Sequence, residues 1–323
     1  LDYQRLAPMT PLAKVVGYLF GLPIREWVLF AATMPFSIFS MWQGQMPVAT
    51  ALQMYSVFVV AGVLYHLTGL LAGTVMKNRR WAFLSSMGLV FLLYTVIPQA
   101  ARFGLVYFKY VTIMPVVEEC YPYLVSRNVG AVVETYQKII PPARFFGLNF
   151  PQGVFTLLSQ GVLILVMVTM LWRRWRRAES HLLGKAGAMG LFGWIQLVLL
   201  GNSLPLIDTG ELFPSREFSR RFGYVSQIDF DNWSPEAGEA VVMVGLYGVV
   251  SLVMLWWMTL LFTANLEGQL RGWRRARKMG RTSLPFASDP STGVPWVILM
   301  VGMAAWGWHA VTRALIESRW FPG

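Results

Sequence analysis

The sequence predicts an all-α polytopic integral membrane protein, a helix bundle with about seven transmembrane helices. Three observations predict it. Of the 323 residues, 55% are hydrophobic and only 13% are charged, where a soluble domain carries about 25% charged residues. The apolar residues come in blocks of roughly twenty, the length an α-helix needs to cross a hydrocarbon core of about 30 Å. The basic residues gather at the ends of these blocks and alternate in density from loop to loop. The same figures exclude a disordered chain, a coiled coil and a disulfide-stapled module. Cys120 is the one cysteine, so no internal disulfide forms and no zinc site needing two thiolates is available.

The elements follow in order. The chain opens on Leu1, as a processed or trimmed terminus would, and no basic stretch followed by a short apolar run marks a signal peptide. Residues 1–26 read as a cytoplasmic amphipathic element. The first span, near 27–42, is short and carries Pro35. The second, near 51–76, is long enough to cross with tilt, and the third, near 82–98, follows a tight basic turn. The fourth, near 151–172, is the cleanest. Spans near 186–207, 239–265 and 296–315 complete a single transmembrane domain. Block length decides for helix, because barrel strands would show as segments of about ten alternating residues. Two connections, 99–150 and 208–238, are too long for simple turns. The first holds an amphipathic stretch, Val129 to Ile140, closed by Pro141-Pro142, and the second holds six acids and three arginines. Both are expected to cap the extracytoplasmic mouth. No internal repeat or pair of broken helices of the inverted-repeat kind occurs.

Charge orients the spans. Seventeen lysines and arginines lie on the side of the N-terminus and ten on the other, while the acids divide five to eleven in the opposite sense. The positive-inside rule therefore places the N-terminus in the cytoplasm and the C-terminus outside, in a bacterial inner membrane. The isoelectric point near 10.0 becomes a topology signal, and no nucleic-acid partner is expected.

Inside the spans, chemistry is sparse. His66 and His309 are the span histidines, and their depths differ by about 10–20 Å at 1.5 Å per residue, too much for one haem between them. His66 is expected to hydrogen-bond a neighbouring helix. The remaining interior polar residues, Gln53, Ser85, Ser86, Gln160, Gln196 and Asn202, are uncharged and read as interhelical glue worth about 0.6–2 kcal/mol each. No carboxylate lies deep in a span, which disfavours a proton-coupled carrier or pump. The glycines at 62, 69 and 73, and at 184, 187 and 190, read as close helix packing. Gly184-Lys185 lacks the following Ser or Thr and the preceding strand of a phosphate loop. No triad or metal-ligand spacing emerges, so no catalytic residue, cofactor or metal is expected and the chain is not read as an enzyme.

Two basic clusters flank spans. Arg173, Arg174, Arg176 and Arg177 stand beside Trp172 and Trp175, and Arg274, Arg275, Arg277 and Lys278 stand beside Trp273. Both are expected to contact anionic membrane lipids at about 1 kcal/mol per charge near the surface. An acidic cytoplasmic partner is the second reading.

The N-terminal run Leu6-Ala7-Pro8-Met9-Thr10-Pro11, followed by Gly17-Tyr18, resembles the coupling element of permeases of the type-2 ABC exporter class. The run Pro142-Ala143-Arg144-Phe145-Phe146-Gly147-Leu148 is similar to a segment of bacterial relatives of such permeases, and the likeness extends over roughly residues 1–175. It implies a permease subunit that binds no nucleotide and depends on a separate cytoplasmic ATPase, touched through Arg5, Leu6, Pro8, Thr10, Pro11 and Lys14. The span that precedes this element in such permeases has no counterpart between Leu1 and Leu6. The alternative is a non-catalytic anchoring subunit of a larger respiratory or photosynthetic complex, and a carrier without an ATPase stands third.

The topology is testable by thiol labelling. Single cysteines at Arg176 and Arg275 are expected to resist an impermeant maleimide in intact cells while one at Gly210 labels. Labelling of both basic loops from outside would reverse the assignment.

Overall fold

The computed structural model describes residues 9–76, 78–125, 142–176, 180–209, 212–213, 235–318 and 320. About 80% of the described residues are helical. The helices are α1 (Pro11–Gly21), α2 (Ile24–Gln43), α3 (Val48–Val75), α4 (Arg79–Phe91), α5 (Met114–Val125), α6 (Gln152–Arg176), α7 (Lys185–Thr209), α8 (Pro235–Phe262), α9 (Leu266–Lys278) and α10 (Val294–Glu317). The strands described are β1 (Ala143–Phe145) and β2 (Leu148–Phe150), paired as one hairpin.

Six of these elements are long and apolar enough to cross a membrane, and a seventh arises if the bent pair α1 and α2 counts as one span. The chain is thus an all-α polytopic membrane protein. The two helices of that pair meet at 56° across Leu22 and Pro23. Pro23 cannot donate a backbone hydrogen bond to α1, which accounts for the break. The expected first span, 27–42, lies within α2, which starts earlier, at Ile24, and passes as a span only together with α1. The expected third span, 82–98, is too short: α4 runs on through a π turn, Leu92–Val96, and a 3-10 stretch, Ile97–Phe103. The sixth span ends at Phe262 rather than 265. The stretch Val129 to Ile140 and most of the expected 208–238 cap lie outside the described residues.

The chain divides into two compact units. The first comprises residues 1–99, 108–144 and 148–175. Within it α1 lays Val15 and Leu19 against Leu67 of α3 and Leu171 and Trp175 of α6. A second cluster joins Met46, Met54 and Val57 to Val116 and Cys120 of α5. Polar bonds hold α4 to α3. Ser86 Oγ donates to the Gly69 carbonyl at 3.0 Å, and the Tyr94 hydroxyl lies 2.6 Å from Thr68 Oγ1. Tyr94 sits in the π turn, and its ring also lies 4.1 Å from that of Tyr65.

The second unit comprises residues 100–107, 145–147 and 176–323. Its core joins α7, α8 and α10. Gln196 of α7 accepts from the Tyr247 hydroxyl of α8 and donates to Ser251 Oγ at 3.0 Å. Gly307 of α10 stands against the same hydroxyl, and a Cβ there would collide with it. Pro205 sits inside α7 and removes the amide that would bond the Gly201 carbonyl four residues before it. The backbone N–H of Phe146 fills the gap, 2.8 Å from that carbonyl. It can do so because the hairpin turn carries Phe146 and Gly147 at positive φ, 46° and 81°, the geometry of a tight two-residue hairpin. A Cβ at position 201 would strike the Phe145 ring.

The interior polar residues divide in a way the sequence reading missed. Gln53, Ser86, Gln160 and Gln196 bond beyond their own helices. His66 does not. Its Nδ1 lies 2.8 Å from the Gly62 carbonyl of its own helix, and its ring is exposed on the α3 surface, 6.1 Å from the Trp27 ring. An unsatisfied backbone lone pair four residues back is always within reach of a helical side chain, so it competes with any neighbour. Asn202 likewise turns its Nδ2 back to Val198.

Replacing Gly307 by valine is expected to overpack the Tyr247 contact and cost about 1–3 kcal/mol. Gly302→Ala, on the same helix with open space around it, is the matched control. Thermal unfolding in mild detergent should show a lower Tm for the first variant alone.

Candidate functional site

Three regions carry the polar chemistry. The first is α1. Thr10 caps it, its Oγ1 accepting from the Ala13 amide at 3.2 Å, and Pro11 occupies the first turn, where a missing N–H costs nothing. Lys14 is buried, on the face that also carries Val15. Leu12, Val16 and Phe20 line the exposed face at helical spacing. The expected coupling set is therefore split: Thr10 and Pro11 build the start of the helix, Lys14 faces inward, and Arg5, Leu6 and Pro8 lie outside the described residues.

The second region is a buried polar face on α6. Gln152, Thr156, Ser159 and Gln160 share one side of the helix, and each is at most 2% exposed. Gln160 Nε2 donates to the carbonyls of Val111 and Thr112 at 3.4 and 3.2 Å. Gln152 Oε1 accepts weakly from Lys109 Nζ at 3.5 Å. Among the described residues Ser159 Oγ and Gln160 Oε1 have no partner. These are the points where water or a polar solute would bond. At the start of α6 the Glu119 carboxylate accepts from the Gly153 amide at 3.1 Å and from Gln53 Nε2 at 2.9 Å. An anion here complements the orphan amides and the positive end of the helix dipole. Burial pushes the Lys109 ammonium below the ordinary lysine range, and the Glu118 charge acts against that. Burial, and then the Glu119 carboxylate, raise the Cys120 thiol to about 12.

The third region surrounds α9. Arg271, Arg275 and Arg281 line a cavity of about 1060 Å³ together with Glu267, Ser288 and Asp289. Glu267 pairs with Arg271 one turn away at 3.2 Å. The far wall is held by Lys185, which is 1% exposed. Its Nζ donates to the Ser288 carbonyl and Ser291 Oγ, both at 2.6 Å, to the Asp289 carbonyl at 3.3 Å, and to the Ser291 carbonyl. Trp296 stacks on Phe286 at 4.9 Å and fixes the same loop from α10.

Of the residues expected at anionic lipid, Arg274, Arg275, Arg277 and Lys278 are all exposed on α9, Arg173 and Arg174 are half-buried near the end of α6, and Arg176 is exposed. Arg177 lies outside the described residues. The sequence reading missed Glu119, Lys109 and Lys185 as structural charges, since it placed the first two in the 99–150 connection and the third before a span, where each counts as an ordinary solvated group. The polar spacing 152, 156, 159 and 160 was a legible signal for the α6 face. No family model, no curated protein and no solved structure matches this chain.

Glu119→Ala leaves the Gly153 amide and the Gln53 side chain without their acceptor, a cost of about 1–3 kcal/mol. Cys120, buried beside it, reports the change. Its thiol is expected to resist maleimide near neutral pH in the intact protein and to label faster in the variant. Equal rates would show that the carboxylate does not hold this corner.

Proposed function

We propose that the chain is the permease-like membrane subunit of an ABC-type exporter, in a bacterial inner membrane, and relies on a separate cytoplasmic ATPase. The single observation that carries the reading is the capped element at Thr10-Pro11. Its motif resembles the coupling element of such permeases, it lies on the basic side of the membrane by the count of charges, and its helix keeps Leu12, Val16 and Phe20 exposed. Two further features fit. A solute path needs hydrophilic surface among spans, and α6 offers uncharged amides and hydroxyls without a deep carboxylate. Energy for transport then has to come from outside this chain, since a proton-driven path would call for a titratable relay.

The anchoring-subunit reading draws on a different observation. In the span Arg80–Phe103, none of the most apolar window is buried within the chain. In a larger assembly such a span would be covered by other subunits.

Because Lys14 is buried, Arg5→Glu with Leu12→Glu is the informative pair. Under the permease reading, an ATPase carrying a Walker motif co-purifies with the wild-type chain in mild detergent and is lost from the double variant, while the variant still elutes as one monodisperse species. Co-purification of cofactor-bearing redox subunits, unaffected by the pair, would support the anchoring reading instead.

A further inference from the structure

We infer that α9 is an interfacial helix whose outer face is inserted into the surface of an anionic lipid leaflet, and that it divides its basic residues between two faces. The inference holds whether or not an ATPase binds elsewhere.

At about 100° per residue, Leu266, Leu270 and Trp273 fall on one stripe of α9, and all three are exposed. Glu267, Arg271 and Arg275 fall on the opposite side and line the cavity against the Ser288–Pro290 loop. Arg277 continues the stripe one turn beyond Trp273, Arg274 borders it, and both are exposed, while Lys278 falls between Glu267 and Arg271. Three aligned apolar side chains in water would be a liability. Flanked by cations on a short helix, they form the pattern of a segment lying in the plane of a membrane surface, apolar face down by about 5–10 Å.

Position makes lipid the occupant. Only Thr263, Ala264 and Asn265 separate α9 from the end of α8, and α10 begins at Val294. Both neighbours are long and apolar enough to cross a membrane, so α9 is tethered at the level where headgroups lie. Charge complementarity selects the lipid class. Two cations, Arg274 and Arg277, at the stripe, with the acids Glu267 and Asp289 turned to the cavity side, favour phosphate-bearing anionic headgroups at about 1 kcal/mol per charge. Trp273 suits the same depth, since indole prefers the interface. The expectation that Arg275 shares this lipid contact is thereby revised, because its helix position is on the cavity face with Arg271.

The test uses the full chain carrying Cys120→Ala, with single nitroxide labels at Leu266, Leu270, Arg271, Trp273 and Arg275, in vesicles of phosphatidylcholine doped with phosphatidylglycerol. Labels at 266, 270 and 273 are expected to be more accessible to oxygen than to a charged nickel chelate, and labels at 271 and 275 the reverse. A uniform ratio around the helix overturns the insertion, and so does protection of the apolar face from both reagents, the result if a protein partner or a second copy covers it. The charge claim is read separately. Arg274→Gln with Arg277→Gln should abolish the stabilisation that phosphatidylglycerol gives over pure phosphatidylcholine, while Arg271→Gln with Arg275→Gln keeps it. Equal loss in both sets, or loss in neither, overturns the division between faces.

Discussion

No water reaches the hydrocarbon core of a bilayer, so every polar group a span carries must find its partner within protein. Much of this structure follows from that constraint. Pro205 breaks the backbone ladder of α7, and the amide of Phe146 repairs it from a hairpin turn. Gln196 draws Tyr247 and Ser251 into one network. Gln160 reaches two backbone carbonyls of the segment around Thr112. The bonds are made by neutral groups, whose burial is cheap compared with that of an ion once a partner is supplied.

Among the described residues, several full charges lie near the ends of the six long apolar spans, and there they do structural work. Glu119 closes the start of α6 by accepting from the Gly153 amide, which would otherwise be orphaned. Lys185 begins α7, a poor place for a cation by dipole arguments. Its partners outweigh that cost: three carbonyls and a hydroxyl from the loop ahead of α10 surround the ammonium. The lysine thus occupies the place a bound metal cation would take in a loop of converging carbonyls. The α9 cavity owes its shape to this arrangement, because the wall that carries Ser288 and Asp289 is the same loop.

The fold class was legible because length and apolarity dominate the sequence, and the spans sit close to where hydropathy put them. What the sequence left hidden has physical causes. Hydropathy cannot see a bend, so the border between surface element and first span was put at 26–27, inside α2, and not at the break at Leu22 and Pro23. It cannot see a π turn either, because Leu92 to Val96 is as apolar as its surroundings. Amphipathic α9 was visible only as a cluster of arginines, since its three apolar residues are diluted by the charges between them. The polar list held for Gln53, Ser86, Gln160 and Gln196 and was wrong about direction for His66 and Asn202. A side chain's choice between its own helix and a neighbour depends on distances that composition does not encode. The candidate site was less legible still, since Lys109, Glu119 and Lys185 gain meaning only from the carbonyls, amides and amide side chains that the fold brings to them.

The π turn in α4 has a consequence for how this helix tolerates change in length. A π turn holds one more residue than the α-helical turn it replaces. Removing a single residue between Leu92 and Val96 would restore regular α geometry there and leave the residues beyond it facing nearly as before. The same deletion in a regular α-helix would rotate everything beyond it by about 100° about the axis. The cost would be local, at Tyr94 and its contact with Thr68. The extra residue is stored in mid-span, so the length of this span and the facing of its far end are uncoupled.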